Sequence, residues 1–208
     1  MSLSTAIVRE SGFWARAATL GKFLLAACIG VLLGLGVTFV EIEHGKGFSA
    51  IEAGPWTGWP RSEASQIDPY TRAILAYSGK IFLSESEAMS FVAHGDSSGA
   101  EFDPACDYVM KGEIPPARYW TLTLLSPAGA LIANTADRQG FTSSEVLRAS
   151  DGRFEITLSR HARPGNWLPL SPTSKFILVL RLYDSELGAT EAALDAAHMP
   201  VLIRGRCG

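Results

Sequence analysis

An uninterrupted apolar run is the feature that most constrains what this chain can fold into. The stretch FLLAACIGVLLGLGVTFV, residues 23–40, holds eighteen residues without a charge. A helix needs about 17–25 predominantly apolar residues to cross the hydrocarbon core of a bilayer. The run therefore predicts a single transmembrane helix over residues 23–40, and the rest of the chain has to fold around an anchored end.

The charges beside the run predict which way it crosses. Arg16 and Lys22 precede it, and Glu41 and Glu43 follow it directly. Because the positive flank of a membrane segment stays cytoplasmic, we expect the N-terminal residues inside and the remainder outside. The exit VTFVEIEHG lacks the small residues of a cleavage site, which favours an uncleaved signal-anchor over a removed signal peptide.

This topology divides the chain into four predicted parts and locates it in the inner (plasma) membrane, with the C-terminal domain in the periplasm. The parts are a cytoplasmic segment 1–22, a transmembrane helix 23–40, a tether 41–53 and an extracytoplasmic β domain 54–208.

Small residues recur at every fourth position of the apolar run. Ala26, Gly30 and Gly34 form a small-xxx-small pattern, which lets transmembrane helices approach closely. These residues are the predicted helix-packing positions if the segment pairs with another helix.

Charge and motif content exclude several functional classes. The net charge is −3 and the basic residues are scattered, whereas nucleic-acid binding needs clustered Lys and Arg. The sequence has no CxxC, and its four histidines lie far apart, so we expect no metal and no cofactor. No GxSxG, HExxH, P-loop or dinucleotide-binding glycine pattern occurs, and the sequence leaves open whether the protein is an enzyme.

Two of the three cysteines belong to the predicted exported part. Cys106 and Cys207 would both face an oxidising compartment, where two thiols usually pair. We expect a disulfide between them that ties down the C-terminal end of the chain.

The pattern of the exported part changes from helical to alternating. DPYTRAILAYSG, residues 68–79, predicts a helix with Asp68 as its N-cap. Further along, period-two alternation predicts strands at residues 89–95, 106–114 and 153–159 and in the stretch 117–135, where Ser126–Gly129 predicts a hairpin turn between two strands. A nearly continuous apolar run predicts a buried strand at 175–184, and a last strand is expected near the C-terminal end. A helical turn is expected after Thr142. The predicted fold class is mainly β, a jelly-roll-like antiparallel β-sandwich with one or two short helices.

Several motifs in this part occur together in one known family. DYVMKGEIPPARYWTLTLLSPAGALIAN, RPGNWLPL and LRLYD follow each other in order, and in this the chain resembles the family of the domain of unknown function 1214 (DUF1214), in its short membrane-anchored bacterial form. The resemblance covers roughly residues 54–207, with Leu125 and Ser126 where a Tyr–Asp pair is common. It implies a jelly-roll-like β fold, often accompanied by a companion DUF1254 domain, and no established reaction.

Aromatic, arginine and asparagine residues lie in or beside these motifs and form the candidate ligand-binding set. One interpretation is a cleft in which Trp faces stack on sugar rings or apolar chains. The other is that the tryptophans plug the ends of the sandwich and fasten segments such as GPWTGWPR, whose Gly and Pro residues predict irregular structure. The candidates are Trp56, Trp59, Arg61, Arg118, Trp120, Asn134, Asn166 and Trp167.

Two functional hypotheses follow. The first is a non-enzymatic envelope protein whose β domain binds a protein partner, such as a DUF1254 companion or a second copy of the chain. The alternative is a glycan- or lipid-binding or hydrolytic envelope domain with a Trp- and Arg-lined cleft.

Overall fold

The computed structural model describes residues 4–44, 50–58, 68–77, 88–171, 175–185 and 199–208. The chain divides into two compact units, Met1–Lys46 and Gly47–Gly208. The segment GATEAALDAAH, which the sequence marks as a weak helix, lies outside the described residues.

The first unit contains one long helix, α1, Ser4–His44. It includes a segment, Arg16–Glu43, that is long and apolar enough to cross a membrane. The helix extends beyond the predicted span 23–40 at both ends, because no proline interrupts residues 4–44. Ala26, Gly30 and Gly34 lie on its exposed surface, and a Cβ added at Gly30 or Gly34 would meet nothing within 4 Å.

The second unit is built from strands and one short helix, α2. The helix is Pro69–Tyr77, and the strands in chain order are β1 Ile51–Ala53, β2 Trp56–Gly58, β3 Ala88–Ala93, β4 Cys106–Gly112, β5 Ala117–Leu125, β6 Gly140–Thr142, β7 Phe154–Ser159, β8 Asn166–Pro169, β9 Ile177–Ser185 and β10 Val201–Cys207.

The strands form two sheets, a six-stranded one with the order β1-β2-β3-β9-β5-β6 and a four-stranded one with the order β10-β4-β7-β8. The predicted mainly-β class, with an apolar N-terminal helix and one short helix in the described part of the β domain, is confirmed. The core lies between the sheets, where Tyr108 and Met110 of β4 and Leu122 and Leu180 of the larger sheet are fully buried.

One strand pair departs from the antiparallel prediction. β8 pairs with β7 in parallel, so the four-stranded sheet is mixed. Parallel neighbours usually need a connection of a dozen residues or more, but β8 has only four residues, so residues 160–165 suffice to bring the chain back. Gly165, with a φ of +80°, lies where the chain turns into β8.

The segment GPWTGWPR is not irregular throughout, contrary to the prediction. Its first five residues supply the turn and the second strand of the β1–β2 hairpin, in which Ala53 pairs with Trp56 around the two-residue turn Gly54–Pro55. Gly54 has a φ of +60°, and a glycine at the first central position is typical of two-residue hairpin turns. Gly54 and Pro55, which in the sequence predict irregular structure, here form the turn of a hairpin. The hairpin also takes up the last three residues of the predicted tether.

Of the other local predictions, one is confirmed and two are confirmed only in part. The predicted cap of α2 is confirmed, since the amides of Tyr70 and Thr71 donate to Asp68 Oδ1 at 3.0 Å each. The turn after β5 is followed by only a single bridge, between Leu125 and Leu131, instead of a continuing strand. Glu145 accepts the amide of Thr142 at 3.2 Å, as in a capping box, but the segment forms turns and no helix.

Candidate functional site

The candidate ligand-binding residues are distributed over the β domain. Trp59 and Arg61 lie outside the described residues. The other six fall in the core, in loops and on both sheets, as the following paragraphs set out.

Trp56 is a core residue of the β1–β2 hairpin. Its side chain is fully buried, and its indole Nε1 donates to the carbonyl oxygen of Pro200 at 2.7 Å. Because Pro200 directly precedes β10, this bond joins the edge region of the six-stranded sheet to the start of the four-stranded sheet.

Trp120 and Arg118 belong to β5 but have different environments. Trp120 is buried and stacks on Phe154 with ring centroids 5.3 Å apart. Arg118 is exposed and pairs loosely with Asp184 at 3.9 Å. An exposed pair of this kind contributes little to stability.

Asn134 organises its own loop. Its Nδ2 donates to the carbonyl oxygen of Arg138 at 2.8 Å, and its Oδ1 accepts the amides of Ala136 and Arg138 at 3.2 and 3.1 Å. These bonds satisfy the amide group within five consecutive residues.

Asn166 closes the β8 edge of the four-stranded sheet. Its Oδ1 accepts the amide of Leu147 at 2.7 Å, and its Nδ2 donates to the carbonyl oxygens of Leu147 and Glu155 at 2.9 Å each. The buried side chain thus engages the backbone of Leu147 much as a neighbouring strand would. Trp167, half-buried, donates from Nε1 to the carbonyl oxygen of Ser159 at 2.9 Å.

The opposite edge, β10, is closed by a loop after β3. The amide of Ser97 donates to the carbonyl oxygen of Leu202, and the amide of Leu202 donates to Ser97 Oγ, both at 2.8 Å. Arg204 pairs with Asp96 at 3.1 Å and also donates to the carbonyl oxygen of Glu101. These contacts occupy backbone groups that an edge strand otherwise offers to another chain.

The carboxyl of Asp96 is held ionised in this loop. Burial raises its pKa, but hydrogen bonds from Ser98 and Ala100 and the charge of Arg204 outweigh burial, so that the pKa lies below its ordinary value. The charge therefore stabilises the loop that covers β10.

The predicted disulfide between Cys106 and Cys207 is confirmed, and it joins opposing residues of β4 and β10. Arg160 donates to the carbonyl oxygens of Ala105 and Gly208 at 3.3 and 2.8 Å beside it. Within the described ranges, no group of His, Cys, Asp or Glu side chains is arranged to hold a metal ion.

The surface of the four-stranded sheet that points away from the core is the remaining feature of interest; we call it the outer face. Strand alternation assigns to it three successive rows of positions. The middle row crosses all four strands in register and consists of Ile203, Val109, Thr157 and Trp167.

This middle row is apolar apart from one hydroxyl and is partly open to solvent. Ile203 is 41% exposed, and Val201 in the next row is 40% exposed. Val109, Thr157 and Trp167 are half-buried. An apolar row with charged residues on both sides has the arrangement of an apolar centre and a polar rim that is found in protein interfaces.

Charged residues border the middle row on both sides. On one side Lys111 and Glu155 are cross-strand neighbours, both exposed. On the other side Asp107 pairs with Arg163 at 2.8 Å. Burial raises the pKa of Asp107, but hydrogen bonds from Ser159 and Arg163 and the charges of Arg163 and His161 lower it below its ordinary value.

An open groove of about 1050 Å³ lies at the end of the outer face where Lys111 and Glu155 are located. Among the candidate residues that the structure describes, only Asn166 lines it, and the hydrogen bonds of that side chain are directed to the backbone. The groove carries both signs of charge, with the bases Lys111, Arg148 and Arg153 and the acids Glu113, Asp151 and Glu155.

Sequence reasoning selected Trp167 but overlooked the rest of the outer face, because its other residues belong to common types. The available signal was the alternation of β4, in which Asp107, Val109 and Lys111 occupy the outward positions. The outward residues of β4 form one continuous face only because β4 pairs with β7 and β10. The sequence does not show which strands pair.

Comparisons with known proteins agree with this fold. Residues 87–187 match the model of a family described as "Protein of unknown function (DUF1214)", and no curated protein matches. The crystal structure of the VPA0106 protein from Vibrio parahaemolyticus is similar, with a TM-score of 0.57 and 21% identity over 88% of this chain and 45% of that one. An uncharacterised protein from Burkholderia cenocepacia gives a TM-score of 0.40 and 14% identity over 81% of this chain and 39% of that one. The chain thus spans less than half the length of these two solved proteins.

Proposed function

The chain belongs to the DUF1214 family through residues 87–187, and from that premise we propose that it is a single-pass inner-membrane protein whose periplasmic β domain binds a protein partner through the outer face. Binding, and not catalysis, is the role of this domain in the proposal. A DUF1254 companion and a second copy of the chain are the partners considered.

One observation carries the proposal. The middle row of the outer face exposes Ile203 and leaves Val109 and Trp167 half-buried, while a loop covers Leu202 on the β10 edge and the β8 edge is only four residues long and ends in a proline, which has no N–H. Since the edges are unsuited to strand addition, an apolar face is the surface left for a partner.

The membrane part of the proposal is supported by the apolar helix and by the disulfide. The segment Arg16–Glu43 could span a bilayer, and a disulfide is typical of oxidising compartments. Labelling of a cysteine introduced at the exposed Ser98, with a membrane-impermeant maleimide on intact spheroplasts, tests the orientation. Labelling only after the spheroplasts are lysed would contradict a periplasmic β domain.

Site-specific photo-crosslinking tests the partner. A photoreactive amino acid at position 109 on the outer face is expected to form covalent adducts with a protein in native membranes. The same amino acid at Leu131, exposed in a loop elsewhere, is the matched control and is expected to form none. Equal adduct formation at both positions, or none at either, would overturn the proposal.

The groove favours a second candidate, binding of an envelope glycan or lipid component. Its mixed charges and its volume suit a polar ligand with an apolar part. Equilibrium dialysis with soluble peptidoglycan fragments, comparing the wild type with Arg148→Glu and with the distant Lys175→Glu, tests it. Retention of the fragments that Arg148→Glu abolishes would support this alternative.

A further inference from the structure

We infer that the partner bound by the outer face is a second copy of this chain, packed face to face about a two-fold axis that runs parallel to the strands between β4 and β7. This inference rests on the proposed function and names the partner of the same surface.

The strand order makes such a pairing self-consistent. A half-turn about this axis reverses the order β10-β4-β7-β8 across the sheet and keeps each row at its height along the strands. In the middle row, Val109 then faces the second copy's Thr157, and Ile203 faces the second copy's Trp167. Every exposed apolar side chain of the row is covered by a member of the same row, as an isologous interface requires.

Charge complementarity carries the argument further. Lys111 and Glu155 lie side by side in one row, so the same half-turn places each of them opposite the other residue of the second copy. The result is two symmetry-related ion pairs, each between Lys111 of one copy and Glu155 of the other. In the part of the chain that the structure describes, neither side chain makes an ion pair of its own, so both are available.

A partner with one sign of charge would fit less well. A purely acidic surface would oppose Glu155, and a purely basic one would oppose Lys111, and like charges brought together across an interface disfavour the complex. A second copy presents an acid opposite Lys111 and a base opposite Glu155, so both charges are matched.

The other two-fold axis in this plane, perpendicular to the strands, is less suitable. It would place Lys111 opposite the second copy's Asp107. That carboxylate is already paired with Arg163 at 2.8 Å, so Lys111 would meet a neutralised pair. The axis between β4 and β7 is therefore the one we infer.

The contact is small and depends on the anchor. Four strands about 4.8 Å apart and three rows of alternate residues cover about 250–400 Å² per copy, whereas stable interfaces bury about 800 Å² per partner. Anchoring both copies in one membrane raises their effective concentration, which compensates for the small area. The test must therefore use the full chain in a bilayer.

Zero-length carbodiimide crosslinking probes the predicted ion pair directly, because it joins an amine to a carboxylate that is in contact with it. Lys111 and Glu155 are also neighbours within one copy, so unlabelled and ¹⁵N-labelled full-length chains are mixed in detergent and reconstituted together into lipid vesicles. We expect crosslinked peptides that join residue 111 of one isotope to residue 155 of the other. Crosslinks with unmixed isotopes only would overturn the inference.

Charge exchange gives a second readout. Lys111→Glu and Glu155→Lys are each expected to lower the dimer fraction in vesicles by about fivefold or more, because each places like charges opposite one another. The double exchange Lys111→Glu/Glu155→Lys is expected to restore it. Stepwise photobleaching of the N-terminally labelled chain measures the fraction, and Lys175→Glu is the control for a change of charge alone.

The outcomes separate this inference from the proposed function. If position 109 crosslinks to a different protein while mixed-isotope crosslinks are absent, partner binding stands and the second copy is wrong. If the single exchanges have no effect, or the double exchange fails to restore dimers, the inferred axis is wrong. If neither kind of crosslink forms, both the inference and the proposed function fall.

Discussion

The two edges of the four-stranded sheet are closed in different ways. The β10 edge is held by residues remote in sequence: Trp56 is 144 positions from Pro200, Ser97 is 105 from Leu202, and Cys106 is 101 from Cys207. The β8 edge is held by near neighbours, since Trp167 contacts Ser159 eight positions away and Asn166 reaches Leu147 nineteen positions away.

This difference separates a locally determined edge from one that depends on the whole domain. The β8 edge is assembled from one short motif and the residues just before it. The β10 edge needs the first hairpin, the loop after β3 and β4 to be in position at once. Removing a buried or covalent contact that holds β10 should therefore lower global stability, whereas removing a single hydrogen bond at either edge should act near the site of change.

The largest effect is expected from Trp56→Ala. Loss of a buried Trp side chain costs about 3–5 kcal/mol of unfolding free energy, and Pro200 also loses its hydrogen-bond donor. Urea denaturation of the full chain in detergent, followed by circular dichroism, measures the change. Trp167→Ala is the matched control and should cost about 1 kcal/mol, because its ring is half-exposed. Equal losses for the two variants would contradict the distinction.

The next effect is expected from removing the disulfide. Cys106→Ala/Cys207→Ala opens a loop of about 100 residues, for which a loss of about 2–4 kcal/mol is typical. The same denaturation experiment measures it, with Cys28→Ala as the control for loss of a thiol. A stability unchanged by the double substitution would mean that Trp56 and the loop after β3 suffice to hold β10.

Asn166→Ala should have a smaller and more local effect. It leaves the amide of Leu147 without its acceptor, and the loss of a typical part-buried hydrogen bond costs about 0.5–1.5 kcal/mol. Hydrogen exchange read by mass spectrometry should increase around Leu147 and remain unchanged around Leu202. Ser97→Ala makes the corresponding change at the other edge. Hydrogen exchange is expected to become faster at Leu202 and to remain unchanged at Leu147. Increases at both edges in either variant would show that the edges are coupled.

The smallest effect concerns pH. The pKa of Asp96 lies below its ordinary value of 3.8 in the folded chain, so its ionised form adds stability above that value. This contribution disappears as the pH falls through 3.8 toward the folded-state pKa. Asp96→Asn should therefore show a shallower loss of stability in this range than the wild type, when unfolding free energies are measured from about pH 6 to about pH 3. Parallel curves for the two proteins would contradict the assignment.

Sequence patterns predicted the features whose determinants are local. The cap of α2 at Asp68 and the alternation in β4 and β5 follow from side-chain type and period alone, and the structure has them. The disulfide Cys106–Cys207 was predicted because two cysteines occur in the part of the chain that is expected to lie in an oxidising compartment. The β1–β2 hairpin was missed because Gly54 and Pro55 mark both a break and a tight turn, and only the pairing partner decides between them.

The candidate site was less accessible from sequence. Trp56 and Trp120 were chosen for their residue type, but residue type does not say which side of a sheet a ring occupies. Lys111 and Glu155 attract no notice in the sequence, and they become neighbours only because β4 and β7 pair in one particular register. Trp59 and Arg61 lie outside the described residues, and their role stays a prediction.

The location of β10 has a consequence for synthesis. Residue 207 is added to the nascent chain about 5–20 s after residue 106, at common elongation rates of about 5–20 residues per second. During the first half of that interval β7 has not yet been synthesised, and during the second half β4 can pair with β7 on one side only, while the thiol of Cys106 still lacks its partner. In the periplasmic location that we propose, thiol oxidants and chaperones would encounter an incomplete sheet, and correct oxidation has to wait for residue 207 to be added.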